Sequence, residues 1–364
     1  MKFIDINKQY KHLKKEIDAS IHKVLDSGNF IQGEQVNELE KNLALFSNSK
    51  YCVTNANGTD ALEIILKSLD LEEKDQIIVP SFTWVSSAEA PKYLGLDIVF
   101  CDVDPRTFNV SVESFKKLIN KRTKVLIAVS LFGQCSELVE LKKICKKNKI
   151  ILIEDAAQSF GATHRQKKSC SIADFSFTSF FPSKPLGCYG DGGAIFVNNK
   201  KDYETVKLIA QHGQVSRDKF VSVGRNSRLD TIQAAVLNVK LRYFEEEIFL
   251  RNQINKMYSK SIDEEKFQTP YIKEENMSVF AIYTIKGKSS NIYKAHENLL
   301  KHNIPCVRYY TKPIHRQAPY ITYKFNKNTL PITDELSRST LSLPMHPYLT
   351  KKDINKVSNI INNI

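Results

Sequence analysis

Ser179-Phe-Phe-Pro-Ser-Lys-Pro-Leu-Gly-Cys-Tyr-Gly-Asp-Gly-Gly193 is the stretch on which the reading of this chain turns. Strand-like sequence flanks it, Phe175 to Phe181 before and Gly193 to Asn198 after, so it is a tight connection inside a sheet. Its one lysine, Lys184, lies between Pro182 and Pro185, with Gly187, Gly190, Gly192 and Gly193 following. Burial at such a place disfavours the ammonium and lowers its pKa. That is the state in which a lysine amine attacks a carbonyl and holds it as a Schiff base. The competing reading is an ordinary solvent-exposed loop lysine. The glycines do not follow G-x-G-x-x-G, so a nicotinamide cofactor is not supported. Their simplest role is to let the loop bend closely around a ligand and re-enter the sheet.

Upstream of this stretch, apolar runs at Tyr51–Thr54, Gln76–Pro80, Asp97–Asp102, Val125–Leu131 and Ile150–Glu154 alternate with segments of helical period such as Ala61–Leu69 and Val112–Ile119. Continuous apolar strands between helices predict an α/β architecture, a mostly parallel sheet sandwiched by helices. An amphipathic helix is expected within residues 1–30, with Ile17, Ile21, Val24 and Leu25 on one face, and a second from Glu34 to Phe46. Downstream come a helix from Lys201 to His212 and a long one from Asp230 to Phe249. The pattern then changes: Val279–Lys286 alternates like an antiparallel strand, Ser289–His302 reads as a helix and Cys306–Tyr310 as a strand. A chain of 364 residues exceeds the size at which one core usually divides. The expected division is a large domain over 1–245 and a smaller C-terminal α+β domain over 246–364.

Composition narrows the function classes. The seven cysteines are scattered without a Cys-x-x-Cys pair, which favours buried free thiols of a reducing cytosol over disulfides or zinc, and no metal site is expected. No apolar run approaches a membrane span, and the N-terminal residues lack the pattern of a signal peptide, so a cytoplasmic location is expected. The net charge of +13 raises the question of nucleic acid. It is spread over helical segments such as Leu141–Lys149 with no nucleic-acid-binding motif, and an acidic small substrate is the better match.

Strand ends in such a sheet are where ligands bind. Thr54-Asn-Ala-Asn-Gly-Thr-Asp60 turns from a strand into a helix, where exposed amides, Gly58 and the Thr59 hydroxyl can cradle a phosphate or form an ordinary helix cap. Pro80-Ser-Phe-Thr-Trp84 carries the only tryptophan, placed to stack on a flat ring or to pack the core. Asp155 closes an apolar strand, where a carboxylate needs a cationic partner: a protonated pyridine nitrogen, or a nearby lysine or arginine. Ser179, five residues before Lys184, can bond a phosphate.

These features together resemble the sugar aminotransferases of the DegT/DnrJ/EryC1/StrS group, which have the aspartate aminotransferase type I fold. The resemblance runs from Phe3-Ile-Asp-Ile through Asn57-Gly-Thr-Asp-Ala-Leu62, Glu154-Asp-Ala-Ala-Gln-Ser-Phe-Gly161 and Ser179–Gly193 to Asn226-Ser-Arg-Leu-Asp230 and Ser342-Leu-Pro-Met-His346. It implies that Lys184 carries pyridoxal 5'-phosphate as a Schiff base and that Asp155 faces the pyridine nitrogen. Gln158 would meet the ring hydroxyl and Trp84 cover the ring. Gly58, Thr59 and Ser179 would hold the phosphate, joined by Asn226 from the second subunit of a homodimer with shared active sites. Relatives that dehydrate sugars carry histidine in place of the lysine, so Lys184 implies amino transfer, from glutamate to a nucleotide-linked keto-sugar. The Lys184 stretch looks most like the subgroup that aminates UDP-2-acetamido-2-deoxy-3-oxo-glucuronate in O-antigen (lipopolysaccharide) synthesis. That subgroup has His-Tyr where this chain reads Tyr309-Tyr310 after Arg308, and a 4-keto-6-deoxy sugar of the perosamine type is the competing substrate. Arg228 or Arg308 can grip a uronate carboxylate, the nucleotide diphosphate or a structural carboxylate, and His315 and His346 line the sugar site or pack elsewhere. A non-catalytic regulator that binds pyridoxal phosphate is the alternative of a different class.

Overall fold

The apolar runs assemble, in the computed structural model, into a seven-stranded sheet; residues 1–321 and 330–364 are described. Its strands are β1 (Tyr51–Asn55), β2 (Gln76–Pro80), β3 (Asp97–Cys101), β4 (Thr123–Val129) and β5 (Ile151–Asp155). After a small hairpin of β6 (Thr163–His164) and β7 (Lys167–Lys168) come β8 (Phe175–Ser179) and β9 (Gly193–Val197). The order across the sheet is β1-β9-β8-β5-β4-β2-β3. Neighbours from β3 to β8 run parallel, whereas β9 is antiparallel to both β8 and β1. The Lys184 stretch joins β8 to β9 without a crossover helix, and a chain lacking that helix returns antiparallel.

Helices α1 (Ile6–Ser27) and α2 (Glu34–Ser47) precede β1, and α3 (Gly58–Ser68), α4 (Ser86–Tyr93), α5 (Val112–Leu118), α6 (Leu138–Asn148) and α7 (Lys200–Ala210) follow β1, β2, β3, β4 and β9. After an exposed hairpin of β10 (Gln214–Ser216) and β11 (Lys219–Phe220) comes α8 (Thr231–Ser261). One face of the sheet is covered by α2, α6 and α8 through Leu39, Leu43, Leu141, Leu237 and Phe244. The other is covered by α3 and α7 through Leu62, Ile65, Val206 and Ile209. Both faces being dry, β2, β3 and β4 are apolar over most of their length, which is why they could be read as parallel-sheet strands. The mostly parallel sheet between helices is as expected.

The C-terminal residues build a second sheet, β12 (Phe267–Gln268), β14 (Tyr283–Gly287) and β15 (Thr340–Leu343) in antiparallel array, while β13 (Asn276–Met277) pairs with β6. Helices α9 (Ser289–Lys301), α10 (Pro331–Ser339) and α11 (Lys351–Asn362) complete the chain. Tyr258, Tyr283, Ile292, Leu341 and Ile354 form an apolar cluster of their own.

The structure departs from several sequence expectations. Leu25 is exposed, and α1 packs through Leu13, Ile17 and Val24 instead. Helix α8 continues to Ser261, because Ile254 and Tyr258 prolong the buried stripe of Ile248 into the C-terminal cluster. The strand expected from Val279 begins only at Tyr283, since the Val279 and Ile282 amides bond the carbonyls of Gly133 and Phe132. Cys306–Tyr310 forms no strand beyond a single bridge from Val307 to Ser342; Tyr309 and Tyr310 turn toward Phe82 and Phe132. All seven cysteines are buried and unpaired. Among the described residues no helix is long and apolar enough to cross a membrane.

Phe160 stacks among Phe46, Phe196 and Phe244, with ring centroids 5.4, 5.6 and 6.0 Å away. Phe160→Ala should therefore lower the stability read from urea unfolding by about 3–5 kcal/mol, through lost contact and a cavity between sheet and α8.

Candidate active site

Three chain segments end in register at one point of the sheet. Gly193, the first residue of β9, lies opposite Asn55 at the end of β1 and opposite Ser179 at the end of β8. Because β9 runs antiparallel, its beginning shares an edge with the carboxyl ends of its neighbours. Backbones crowd there. A Cβ on Gly193 would fall 2.7 Å from the Asn57 carbonyl carbon and oxygen, and one on Gly58 would fall 3.0 Å from Ser179 Cβ. Asn57 caps α3, its side chain accepting the Asp60 N–H at 2.8 Å, so the first turn of α3 points its free amides at this edge. The Thr59 hydroxyl meets Ser86 Oγ at 2.9 Å, and Ser179 Oγ accepts the Phe181 N–H at 3.2 Å. Helix-start amides, two hydroxyls and glycine backbone are groups that can cradle a phosphate.

The charged pair lies on the neighbouring strands. Asp155 ends β5, opposite Phe177 of β8, and is 9% exposed. Its carboxylate accepts the Ala157 N–H at 3.0 Å and the Ser87 hydroxyl at 3.4 Å. Burial raises its pKa; the Ala157 N–H, the Lys184 charge and Ser87 pull it back. Lys184 sits in a turn closed by a bond from its own N–H to the Phe181 carbonyl at 2.8 Å. Burial draws its amine below the usual lysine range, opposed by the Asp155 charge. A desolvated amine and a carboxylate within electrostatic reach, beside a phosphate cradle, fit pyridoxal phosphate, a group bearing an aldehyde, a basic ring nitrogen and a phosphate. Among the described residues no group of His, Cys, Asp and Glu is arranged to hold a metal ion.

Other sequence candidates join the site unevenly. Gln158 accepts the Phe132 N–H at 2.8 Å and places its Nε2 3.5 Å from the Tyr310 hydroxyl. Tyr310, packed edge-on to Phe82 at 5.5 Å, brings the C-terminal part of the chain to this edge, with Tyr309 beside it. Trp84, on the loop after β2, is 61% exposed. Ser227 Oγ accepts the Ala56 N–H at 3.1 Å, which lays Asn226 and Arg228 beside the cradle turn, Asn226 exposed and Arg228 partly so.

Of three other candidates, two are engaged by polar partners within the protein, while both ring nitrogens of His346 are buried without a hydrogen bond among the described residues. His315 meets Ser81 Oγ through Nδ1 at 2.7 Å, with Nε2 3.4 Å from Asp334, so one ring nitrogen faces the residue after β2 and the other faces α10. Arg308 lies 4.0 Å over the Tyr293 ring and donates to the Ser337 carbonyl, among α9 and α10. His346 is buried beside Tyr348, its pKa pushed down to about 4 by burial and by Arg251. Two pockets elsewhere on the chain are lined by other residues, such as Phe108 and Tyr271 in one and Asp104 and Lys273 in the other.

Sequence reasoning missed the hydroxyls that brace the edge. Glu154, fully buried, accepts Ser169 Oγ at 2.7 Å, the Cys170 N–H at 2.8 Å, Ser130 Oγ at 3.2 Å and Ser176 Oγ at 3.4 Å, tying β4, β5 and β8 together. A second carboxylate inside an apolar strand was the available signal.

The model of the DegT/DnrJ/EryC1/StrS aminotransferase family matches residues 11–362. The UDP-2-acetamido-2-deoxy-3-oxo-D-glucuronate aminotransferase of Pseudomonas aeruginosa is 44% identical over 97% of this chain and 97% of that protein. A pleiotropic regulatory protein of Geobacillus stearothermophilus is 32% identical over 96% of this chain and 94% of its own length. Among solved structures, a DegT DnrJ EryC1 StrS aminotransferase from Brucella abortus superposes with a TM-score of 0.96 at 36% identity, covering 100% of this chain and 99% of that one.

Gly193→Ala pushes a methyl group against the Asn57 carbonyl and should spread the cradle. Titration with pyridoxal phosphate is expected to show affinity reduced about ten-fold or more.

Proposed function

The chain belongs to the DegT/DnrJ/EryC1/StrS aminotransferase family, whose cofactor is pyridoxal phosphate, and from that premise we propose that it moves the amino group of glutamate to a nucleotide-linked keto-sugar. The observation that carries this reading is the depressed amine of Lys184 set within electrostatic reach of Asp155 at the carboxyl edge of the sheet. Lys184 would hold the cofactor covalently, with Asp155 toward its ring nitrogen and Gln158 toward its hydroxyl. Gly58, Thr59 and Ser179 would hold its phosphate and Trp84 cover its ring. When bound, the cofactor supplies an electron-withdrawing ring that stabilises negative charge on the substrate carbon.

The chain's own residues would supply the proton chemistry. Asp155, with the Ala157 N–H and Ser87 favouring its charge against burial, would pair with a positive ring nitrogen. The Lys184 amine, nearer neutrality than an exposed lysine, takes a proton at Nζ and returns it to the other side of the exchange. Glutamate leaves as 2-oxoglutarate and the keto-sugar as an amino-sugar, so the nitrogen and its proton balance.

For the sugar we propose UDP-2-acetamido-2-deoxy-3-oxo-glucuronate, in O-antigen synthesis, supported by the 44% identity to the Pseudomonas aeruginosa enzyme and by Arg228, which lies beside the cradle turn and is planar enough to fork a carboxylate. Arg308 is less suited, being stacked on Tyr293. Tyr309, Tyr310 and His315 would shape the far wall of the sugar site. The site is proposed to be shared in a homodimer, with Asn226 crossing to the other copy; the exposed side chains of Trp84, Phe181 and Phe220 support a covered face there. The separate apolar cluster beyond residue 245 supports a division into domains 1–245 and 246–364, and the unpaired buried cysteines support a reducing, cytoplasmic setting.

Three measurements test this. Lys184→Ala should abolish borohydride trapping of pyridoxal phosphate on the protein and lower amino transfer at least about 100-fold; retained trapping contradicts the assignment. A panel of 3-keto and 4-keto nucleotide sugars, assayed for 2-oxoglutarate release from glutamate, should favour the 3-oxo-uronate. Turnover of only a 4-keto-6-deoxy sugar would replace that substrate, and binding without turnover would favour the regulator suggested by the Geobacillus relative's name. Arg228→Leu should raise KM for the uronate about ten-fold or more while sparing KM for glutamate.

A further inference from the structure

We propose that Lys240 and Gln233 of α8 clamp the loop behind Lys184, which makes Lys240 a positioning residue for amino transfer. The proposal rests on the reading of Lys184 given above. The chain leaves β8 at Ser179 and must reach β9 at Gly193, and the arm from Gly187 to Gly190 pairs with no strand or helix of its own. One helix holds its backbone instead. Nζ of Lys240 donates to the Gly187 carbonyl at 2.6 Å and lies 4.2 Å from the centre of the Tyr189 ring. Oε1 of Gln233 accepts the Tyr189 N–H at 2.8 Å, and a Cβ on Gly190 would fall 3.1 Å from Gln233 Nε2. Residues 233 and 240 are about two turns apart on one face of α8, so a single rigid element grips the loop on either side of Cys188. The Cys188 N–H in turn donates to the Phe180 carbonyl at 2.8 Å, closing the loop around Lys184.

The choice of residue is informative. Lys240 is 3% exposed, and a buried ammonium is costly where an apolar side chain would pack as well. Burial pushes its pKa down to about 8, with Glu247 and Cys188 acting against the shift. Glu247 is itself occupied by Gln9 at 2.8 Å and by the Tyr348 hydroxyl at 2.9 Å. What Lys240 bonds directly is the loop, at the carbonyl three residues beyond Lys184.

The test separates the covalent contact from the rest of the site. Pyridoxal phosphate can bond Lys184 through its aldehyde; pyridoxamine phosphate has no aldehyde and reports on ring and phosphate contacts alone. Both are titrated into the full chain stripped of cofactor, for the wild type, Lys240→Met and Gln233→Ala, with thermal unfolding recorded alongside. The expected result is a loss of about ten-fold in affinity for pyridoxal phosphate in each variant, against a change of less than about two-fold for pyridoxamine phosphate. Equal losses for the two ligands, or none for either, would overturn the clamp. Absence of borohydride trapping at Lys184 in the wild type would instead overturn the reading on which the clamp rests.

Discussion

A cation and a carboxylate that would each be more stable in water share one desolvated edge of this protein, and the sheet forces them there. Asp155 ends a strand that is buried between parallel neighbours, and Lys184 lies on the loop that turns the next strand back antiparallel. Asp155 is fixed there by the pairing of its strand with both neighbours, and Lys184 by the short loop that carries it. The lysine is drawn toward neutrality and the aspartate toward protonation, and each partly restores the other's charge. A pair poised in this way favours a ligand that brings its own positive nitrogen and consumes the amine.

The rest of the fold can be understood as support for that edge. The antiparallel return of β9 places Gly193 between Asn55 and Ser179, so the phosphate cradle and the lysine loop are built from one crowded junction. Beneath it, Glu154 draws Ser130, Ser169 and Ser176 into one hydrogen-bonded knot, fixing the strand ends without reaching a ligand. Above it, Tyr310 and His315 bring the C-terminal part of the chain onto Gln158 and Ser81. Motion of that part relative to the large sheet would therefore be felt directly at the site.

Much of this was legible in the sequence, and the reasons differ by element. Strands β2 and β4 stood out because both faces are dry and their runs are mostly apolar. Lys184 and Asp155 stood out because charged residues are costly in such company. What escaped were contacts between residues far apart in the chain. Nothing local tells that Ser81 will bond His315, or that Tyr310 will leave an expected strand to meet Gln158. Helix α8 was underestimated because its buried stripe changes partners midway, from the large sheet to the C-terminal cluster, which blurs the helical period. Lys240 was indistinguishable from the many surface lysines until the loop was folded over it.

The central claim is that position alone depresses the Lys184 amine and that Asp155 partly restores it. It is tested most directly by the pKa of that amine in the cofactor-free chain, followed by NMR of isotope-labelled lysine in the wild type and in Asp155→Asn. The account predicts a wild-type value below that of an ordinary lysine, and a further fall in the variant, where the opposing negative charge is gone. An ordinary or elevated value, or one indifferent to the loss of the carboxylate, would contradict it.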